Sequence, residues 1–209
     1  IGLTKIEIPD EVVFLNAFMF ANCSNLKSVV LPESATEIPV GAFSNSGLTE
    51  ITIPDAVQYI YSSAFYNCQS LATVRMSKNI VNVHESAFYE CSIQDYYLSN
   101  EVVTKSTVSG VNATAIHFTD GVKEISSETF YSNKTINEIS FSDTVETIGS
   151  RAFANCRNLD KINFGTGLLE IGSEAFMNCT SLQKVNVKNL HFWCNVRFSD
   201  SEANPLYYA

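Results

Sequence analysis

Residues Ile136–Cys156 read Ile-Asn-Glu-Ile-Ser-Phe-Ser-Asp-Thr-Val-Glu-Thr-Ile-Gly-Ser-Arg-Ala-Phe-Ala-Asn-Cys, and most of the remaining chain repeats this stretch in altered form. A residue type that returns in every repeat is retained for packing. Few residues therefore remain that occur once and could indicate a functional site. Nine repeats open at intervals of 20 to 23 residues, at Leu3, Leu26, Leu48, Leu71, Ile93, Ala113, Ile136, Leu159 and Leu182.

A repeat length of about 20 to 29 residues that opens with Leu-x-x-Ile-x-Ile is typical of a leucine-rich repeat solenoid. The alternating apolar residues predict a short strand at the start of each coil, and successive strands should stack as a parallel sheet. We therefore predict an α/β fold. It is a solenoid of about nine coils, with the parallel sheet on the concave face and short helices or 3₁₀ turns on the convex side.

Each coil is expected to continue through a middle turn with a second buried aliphatic residue, and then through a Ser-x-Ala-Phe-x-Asn-Cys segment. About six residues separate the serine from the Asn-Cys turn, so a helix there is too short to be stable without docking of its Phe. The serines expected to N-cap these helices are Ser62, Ser127, Ser150 and Ser173. An aromatic stripe can line a ligand groove, but one Phe per repeat favours a core column of Phe20, Phe43, Phe65, Phe88, Phe130, Phe153 and Phe176.

The charge and hydropathy of the chain exclude two classes of partner. The net charge is -9, and the 13 Lys and Arg residues are scattered, whereas phosphate-backbone binding needs a clustered basic face. No stretch approaches the roughly 18 uninterrupted apolar residues that a membrane helix needs. We therefore expect neither nucleic-acid binding nor membrane insertion by this segment, and no motif in the sequence indicates a cofactor.

Five of the six cysteines, Cys23, Cys68, Cys91, Cys156 and Cys179, occupy the same position of the repeat. Other coils have the small residues Ser46 and Asn133 there, which indicates a position selected by volume and local hydrogen bonding. We expect these five cysteines to be free, buried thiols. A zinc site is disfavoured, because tetrahedral ligands converge on a point and a stacked column does not.

The repeat pattern breaks twice. Residues 93–113 form an irregular coil that lacks the Ala-Phe-x-Asn-Cys segment, and its Val and Thr content favours a second extended segment over a helix. Two causes of this irregularity stay open, namely loss of the repeat pattern during evolution and a change in the direction of a binding surface. After residue 188 the period ends and aromatic residues cluster. We therefore divide the chain into a solenoid over 1–188 and an atypical capping segment over 189–209, which should fold Phe192, Trp193 and Phe198 over the last coil.

Candidate catalytic residues are scarce. Outside the cysteine column, His191, Cys194 and Asp200 are the one cluster of suitable types, in which a base could activate a thiol. Three such residues within ten positions arise easily by chance, and no nucleophile elbow or phosphate loop accompanies them. We expect no enzymatic activity. The chain also opens directly on a repeat without a polar cap, which favours a processing boundary at Ile1.

The unit Leu-x-x-Ile-x-Ile-Pro-x-x-Val-x-x-Ile-Gly-x-x-Ala-Phe-x-Asn-Cys-x-x-Leu resembles the BspA-like, or Treponema pallidum-type, leucine-rich repeat. The resemblance covers nearly the whole chain and is strongest in 48–71 and 136–182. It implies a surface or secreted protein, mostly of bacteria and also of some mucosal protists, that adheres to host proteins, such as extracellular matrix or serum proteins, or to other cells. It implies no catalytic residues, and a structural spacer without a ligand is the alternative function.

The outward positions of the strands are the candidate binding surface, because packing leaves them free to vary on one continuous face. Among them, Arg75, Tyr97 and His117 are side chains of the kinds that often anchor protein interfaces, and they lie near the irregular coil. We also assign Val30 and Asn163 to this surface. The full column reads Glu7, Val30, Thr52, Arg75, Tyr97, His117, Ser140, Asn163 and Asn186.

Overall fold

In the computed structural model, residues 2–207 are described, so the predicted boundary at Ile1 lies outside them. The chain forms two compact units. The first contains the residues up to Tyr96 together with Ser106–Ala113, and the second contains Tyr97–Lys105 together with the residues from Thr114 onward. The architecture of both units follows from the repeat.

Each coil opens with a strand of three or four residues, which we call the first strand. In the first unit, Lys5–Glu7 pairs with Ser28–Val30, and Glu50–Thr52 pairs with Thr73–Arg75, both in parallel. In the second unit, four consecutive first strands pair in parallel and in register. The first strands are Lys5–Glu7, Ser28–Val30, Glu50–Thr52, Thr73–Arg75, Asp95–Leu98, Ala115–Phe118, Glu138–Phe141, Lys161–Phe164 and Lys184–Val187.

The middle of every coil after the first, for which the sequence predicted only a turn, contains a second strand of two residues. These second strands form parallel ladders of their own, three strands in the first unit and five in the second. They are Glu37–Ile38, Tyr59–Ile60, Asn82–Val83, Val102–Val103, Glu124–Ile125, Thr147–Ile148, Glu170–Ile171 and Arg197–Phe198. The fold is therefore a parallel-sheet β-solenoid, as predicted, of about eight turns instead of nine.

The helices expected after Ser62, Ser127, Ser150 and Ser173 do not form, so the N-cap assignment was wrong. The residue after each serine has a positive φ of 56–57°, which ends any right-handed helix at that point. The segments are chains of turns whose amides bond to the neighbouring coil, as in Phe65 N to Ala87 O and Phe153 N to Ala175 O, at 2.8 and 2.9 Å. Stacking between coils thus satisfies the backbone groups that a helix would have satisfied internally.

The predicted Phe column lies in the core, where its rings stack face to face. Successive centroids are 5.0–5.4 Å apart from Phe20 to Phe88 in the first unit, and 5.2–5.4 Å apart from Phe130 to Phe176 in the second. The second unit has a further column of Phe118, Phe141 and Phe164, whose rings meet the first column edge-on. Offset stacks and edge contacts are the favoured aromatic geometries, so the two columns support each other.

All six cysteines are free thiols. Cys68, Cys156 and Cys179 are buried as predicted, but Cys23 and Cys91 are only half-buried, so the expected burial of all five was wrong. Four thiols of the column donate to the Phe carbonyl of the preceding coil at 3.0–3.3 Å. The column is therefore a row of hydrogen-bond donors that closes the turn before each first strand.

The irregular coil forms the predicted second extended segment, as the strand Val102–Val103, and then a 3₁₀ helix at Lys105–Val108. It has no Phe in the core column. Instead, Tyr96 is fully buried and packs edge-on against Phe88, with ring centroids 6.0 Å apart. The tyrosine ring thus fills core volume that a repeat phenylalanine fills in other coils.

The segment after residue 188 contains the helix Leu190–Trp193, the second strand Arg197–Phe198 and 3₁₀ turns at Ser201–Ala203 and Pro205–Tyr207. Trp193 packs on Phe164 and Phe198 with centroids 4.9 and 5.4 Å away. Phe192 is 46% exposed, so this ring does not fold into the core as expected. The division at residue 188 stays a proposal. Within residues 2–207, no helix has the length and apolar character needed to cross a membrane.

Candidate functional site

The outward side chains of the first strands in the second unit form one row. Strand alternation buries Ile116, Ile139 and Ile162 and leaves the residues between them on the opposite face. At the start of this row, the rings of Tyr97 and His117 stack with centroids 4.5 Å apart and planes 19° apart. Both rings are half-buried, so the pair presents a preformed aromatic surface to solvent.

The row continues from the aromatic pair as a chain of hydrogen bonds. His117, Ser140, Asn163 and Asn186 are consecutive register partners. The Asn163 side-chain amide donates to Ser140 Oγ at 3.0 Å and to Glu138 Oε1 at 2.7 Å, and the Asn186 amide donates to Asn163 Oδ1 at 2.8 Å. These bonds hold the polar groups in one arrangement before any ligand arrives, which reduces the entropy lost on binding.

A charged pair borders the row. Lys161 Nζ lies 2.8 Å from Glu138 Oε1, and both side chains are about one-third exposed. The hydrogen bond from Lys161 is the main reason that the pKa of Glu138 lies below its ordinary value, and the bond from Asn163 adds to this effect. Glu138 is therefore ionised at neutral pH and accepts bonds from both neighbours.

In the first unit, the corresponding outward positions hold Glu7, Val30, Thr52 and Arg75. Val30 is 46% exposed on its strand, and it lines a shallow cavity of about 320 Å³ together with Thr52, Glu33 and Glu50. Arg75 is exposed and is the register partner of Thr52. The two units thus offer different side chains at equivalent strand positions, since the first has valine, threonine and arginine where the second has aromatic and amide groups.

The structure therefore brings Tyr97 together with His117 and links Asn163 to its strand neighbours, while Val30 and Arg75 lie on strands of the other unit. Sequence reasoning missed Glu138 and Lys161, because it took a single outward position from each strand. The alternation itself contained the signal, since both residues stand two positions before an assigned outward residue and so face the same side.

The cluster of His191, Cys194 and Asp200 does not form a catalytic arrangement. The Asp200 carboxylate accepts hydrogen bonds from the Ser173 hydroxyl and the Ala203 amide, which lower its pKa and cap the turn that follows. Within the described part of the chain, no hydrogen bond joins any two of the three residues. Over the same residues, no group of His, Cys, Asp and Glu could hold a metal ion.

The stacked coils and the solvent-facing row define a leucine-rich repeat scaffold. The sequence pattern of the BspA type Leucine rich repeat region matches residues 2–108 and 101–203, in six copies. The chain belongs to this family. No curated protein shows significant sequence similarity to it.

Several solved structures are similar, among them proteins from Bacteroides ovatus, Faecalibacterium prausnitzii and T. pallidum. A leucine-rich repeat protein from Bacteroides ovatus is 23% identical, with a TM-score of 0.49 over 93% of this chain and 56% of that one. A leucine rich cell surface protein from Faecalibacterium prausnitzii is 18% identical, with a TM-score of 0.35 over 95% and 83%. The leucine-rich repeat protein of T. pallidum is 16% identical, with a TM-score of 0.43 over 87% and 62%. The chain thus spans little more than half the length of the Bacteroides protein.

Proposed function

We propose that this chain is the binding module of a cell-surface or secreted protein, and that it adheres to a host protein or to another cell through the outward row of its first strands. The stacked pair of Tyr97 and His117, continued by Ser140 and Asn163, is the observation that supports this proposal most directly. Membership of the BspA-type leucine-rich repeat family also supports it.

The chemistry of the row suits a protein partner. A tyrosine ring buries a large area at low entropy cost, and tyrosine is enriched among interface anchors. The neighbouring amides and hydroxyls provide donors and acceptors for a partner's backbone. Because strand pairing sets the spacing of these groups, binding requires little rearrangement of the site.

The test is binding of the purified chain to immobilised extracellular-matrix and serum proteins, followed by substitution of the row. Tyr97→Ala and His117→Ala should each weaken the binding by more than about 1 kcal/mol, roughly fivefold. Arg75→Ala tests whether the equivalent position of the first unit contributes. Tyr131→Ala is the matched control, because Tyr131 is a 46% exposed tyrosine in a turn segment away from the first strands.

Equal losses for Tyr97→Ala and Tyr131→Ala would place the contact elsewhere and refute the assignment to the first strands. Absence of any partner across matrix, serum and cell-surface proteins would instead favour the alternative, a structural spacer in a larger surface protein.

A further inference from the structure

A second ordered row lies on the turns that precede the cysteine column. The asparagines of the Asn-Cys turns adopt positive φ values of 54–63°, a conformation that asparagine tolerates better than most residues. Their side-chain amides bond from coil to coil. Asn67 donates to Asn45 at 2.7 Å and Asn45 to Asn22 at 3.2 Å in the first unit, and Asn178 donates to Asn155 at 3.0 Å in the second. We call this row the asparagine ladder.

The ladder stops at Ser132, which occupies the position of the next asparagine and has the same positive φ, 58°. The Asn155 side-chain oxygen accepts a hydrogen bond from Asn178. The side-chain NH₂ group of Asn155 does not donate to Ser132 in turn, because the serine side chain is shorter than an asparagine. Among residues 2–207, the Asn155 Nδ2 group and the Ser132 hydroxyl have no hydrogen-bond partner. The break therefore leaves two donor groups without a partner at a position where side chains of neighbouring coils are hydrogen-bonded elsewhere in the chain.

Two cations flank the break. Lys134 and Arg157 occupy one repeat position in adjacent coils, where Ser24, Gln69 and Thr180 stand in other coils. Both side chains are exposed, and neither has a carboxylate within ion-pair distance in the described part of the chain. Cations of other coils do pair with a carboxylate, among them Lys78, Lys123, Arg151, Lys161, Lys188 and Arg197.

These residues line a single cleft of about 530 Å³, formed by Ser132, Lys134, Asn155, Arg157 and Asn158. No carboxylate lines it, although the chain has 22 acidic residues against 13 basic ones. The walls are held in place. The Asn158 amide donates to the Lys134 carbonyl at 2.6 Å across adjacent coils, and Asn133 Oδ1 accepts from the Ile136 amide at 3.0 Å.

We propose that this cleft binds a tetrahedral oxyanion, a sulfate or phosphate group. Lys134 and Arg157 supply two positive charges from adjacent coils, and the Asn155 amide and the Ser132 hydroxyl supply neutral donors between them. Hydrogen bonds from cationic donors to such oxyanions are among the strongest in proteins, and a guanidinium donates two at once. The four donor groups match in number the four oxygens of a sulfate or a phosphate.

The probes are inorganic sulfate, inorganic phosphate, heparin as a sulfated polysaccharide, and desulfated heparin, each titrated at constant ionic strength adjusted with sodium chloride. The readout is the nitrogen–proton spectrum, in which the side-chain amide of Asn155 gives its own signal. We expect saturable shifts of that signal with both inorganic anions. If the natural ligand is a free oxyanion, heparin and inorganic sulfate should bind with similar affinity per sulfate group. If it is a sulfated glycan, heparin should bind more tightly than inorganic sulfate, and desulfated heparin should not bind.

Ser132→Asn is the sharpest variant, because it leaves the charge unchanged. Asparagine suits the positive φ at this position, restores the ladder and accepts the bond from the Asn155 amide. We expect at least about threefold weaker binding. The double variant Lys134→Ala/Arg157→Ala should weaken binding at least about tenfold. Its control is Lys78→Ala/Lys123→Ala, which removes the same charge from paired surface positions and should change the affinity little.

Equal weakening by the two double variants would show that the effect is general electrostatics, and unchanged binding in Ser132→Asn would show that the broken ladder is irrelevant. Either result overturns the proposal, as does an Asn155 signal that does not respond to any of the anions. Circular dichroism spectra that match the parent chain would exclude unfolding as the reason for any loss.

Discussion

Tyr96 is the largest side chain that the fold buries completely among the described residues, and its buried hydroxyl has no hydrogen-bond partner among them. Burial raises the pKa of this phenol, so the hydroxyl keeps its proton at any physiological pH. An unpaired buried hydroxyl lowers the stability of the fold, since the unfolded chain would bond it to water. The irregular coil therefore fills its core at a cost in stability.

Tyr96→Phe removes that hydroxyl and keeps the ring that packs against Phe88. We expect the free energy of unfolding to rise by about 1 kcal/mol, because an unsatisfied group is lost and no contact is removed. Chemical denaturation measures the difference. Tyr131→Phe, at an exposed position, should leave the stability unchanged. A lower stability of Tyr96→Phe would show that a buried water satisfies the hydroxyl.

Glu138 gives the outward row a pH dependence. Its pKa lies below the ordinary value of 4.5, chiefly through the hydrogen bond from Lys161. A depressed carboxyl pKa stabilises the fold above pH 4.5, and that contribution is lost as the pH falls through the lower pKa of the folded state. Glu138→Gln should therefore reduce stability at pH 7 by less than about 1 kcal/mol, since the pair is partly exposed.

Denaturation of the parent chain and Glu138→Gln at several pH values measures this effect. The two curves should converge in acid, below the folded-state pKa of Glu138. A constant difference across the whole range would mean that the substituted amide disturbs packing and that the ion pair is not the cause.

At the scale of the element, one coil is stabilised by its neighbours above and below. Phe153 is fully buried between Phe130 and Phe176, with centroids 5.2 and 5.4 Å away, and the edges of Phe118 and Phe141 also meet it. The turn segment that contains Phe153 has no helix to stabilise it locally. Its conformation therefore depends on stacking with the adjacent coils.

Phe153→Ala should lower the free energy of unfolding by about 3–5 kcal/mol, because it removes a buried ring and leaves a cavity that the stacked backbones cannot close. Phe192→Ala is the matched control. That ring is 46% exposed, and its loss should cost less than about 1 kcal/mol. A small effect of Phe153→Ala in urea denaturation would contradict the view that the column stabilises the coils.

Across the whole molecule, the six thiols differ in exposure and so predict an order of reactivity. Cys194 is exposed, whereas Cys156 and Cys179 are buried, and burial raises the pKa of both thiols, that of Cys179 to about 12. Since the thiolate is the reactive form, we expect Cys194 to react with a thiol reagent first at neutral pH and Cys156 and Cys179 last.

In denaturant without reductant, the same titration should find close to six thiols. The free column is consistent with in-register stacking, which keeps neighbouring Cβ atoms near 5 Å apart, whereas a disulfide needs about 3.8 Å. A count of two or fewer would contradict the free column. Early labelling of Cys156 in the folded chain would contradict its burial.

The 23-residue repeat by itself determined the parallel first strands, the buried Phe column, the column of free cysteines and the outward position of Tyr97, His117 and Asn163, because the period of a strand assigns each side chain to a face. Sequence patterns predicted a helix after Ser150 and no second strand at Thr147–Ile148. Both errors arose because backbone hydrogen bonds between adjacent coils determine the backbone conformation there, and local helix or strand propensity does not.

Only the tertiary structure decided which side chains meet across coils. The stack of Tyr97 on His117 and the bonds of Asn163 to Glu138 and Ser140 join residues 20 to 25 positions apart. The break of the asparagine ladder at Ser132 likewise concerns residues of adjacent coils, Ser132 and Asn155. Such contacts depend on the register between neighbouring coils and on the length of each side chain. A repeat pattern specifies the stacking direction, but hydrogen bonding between particular atoms depends on distances that exist only once the coils are stacked.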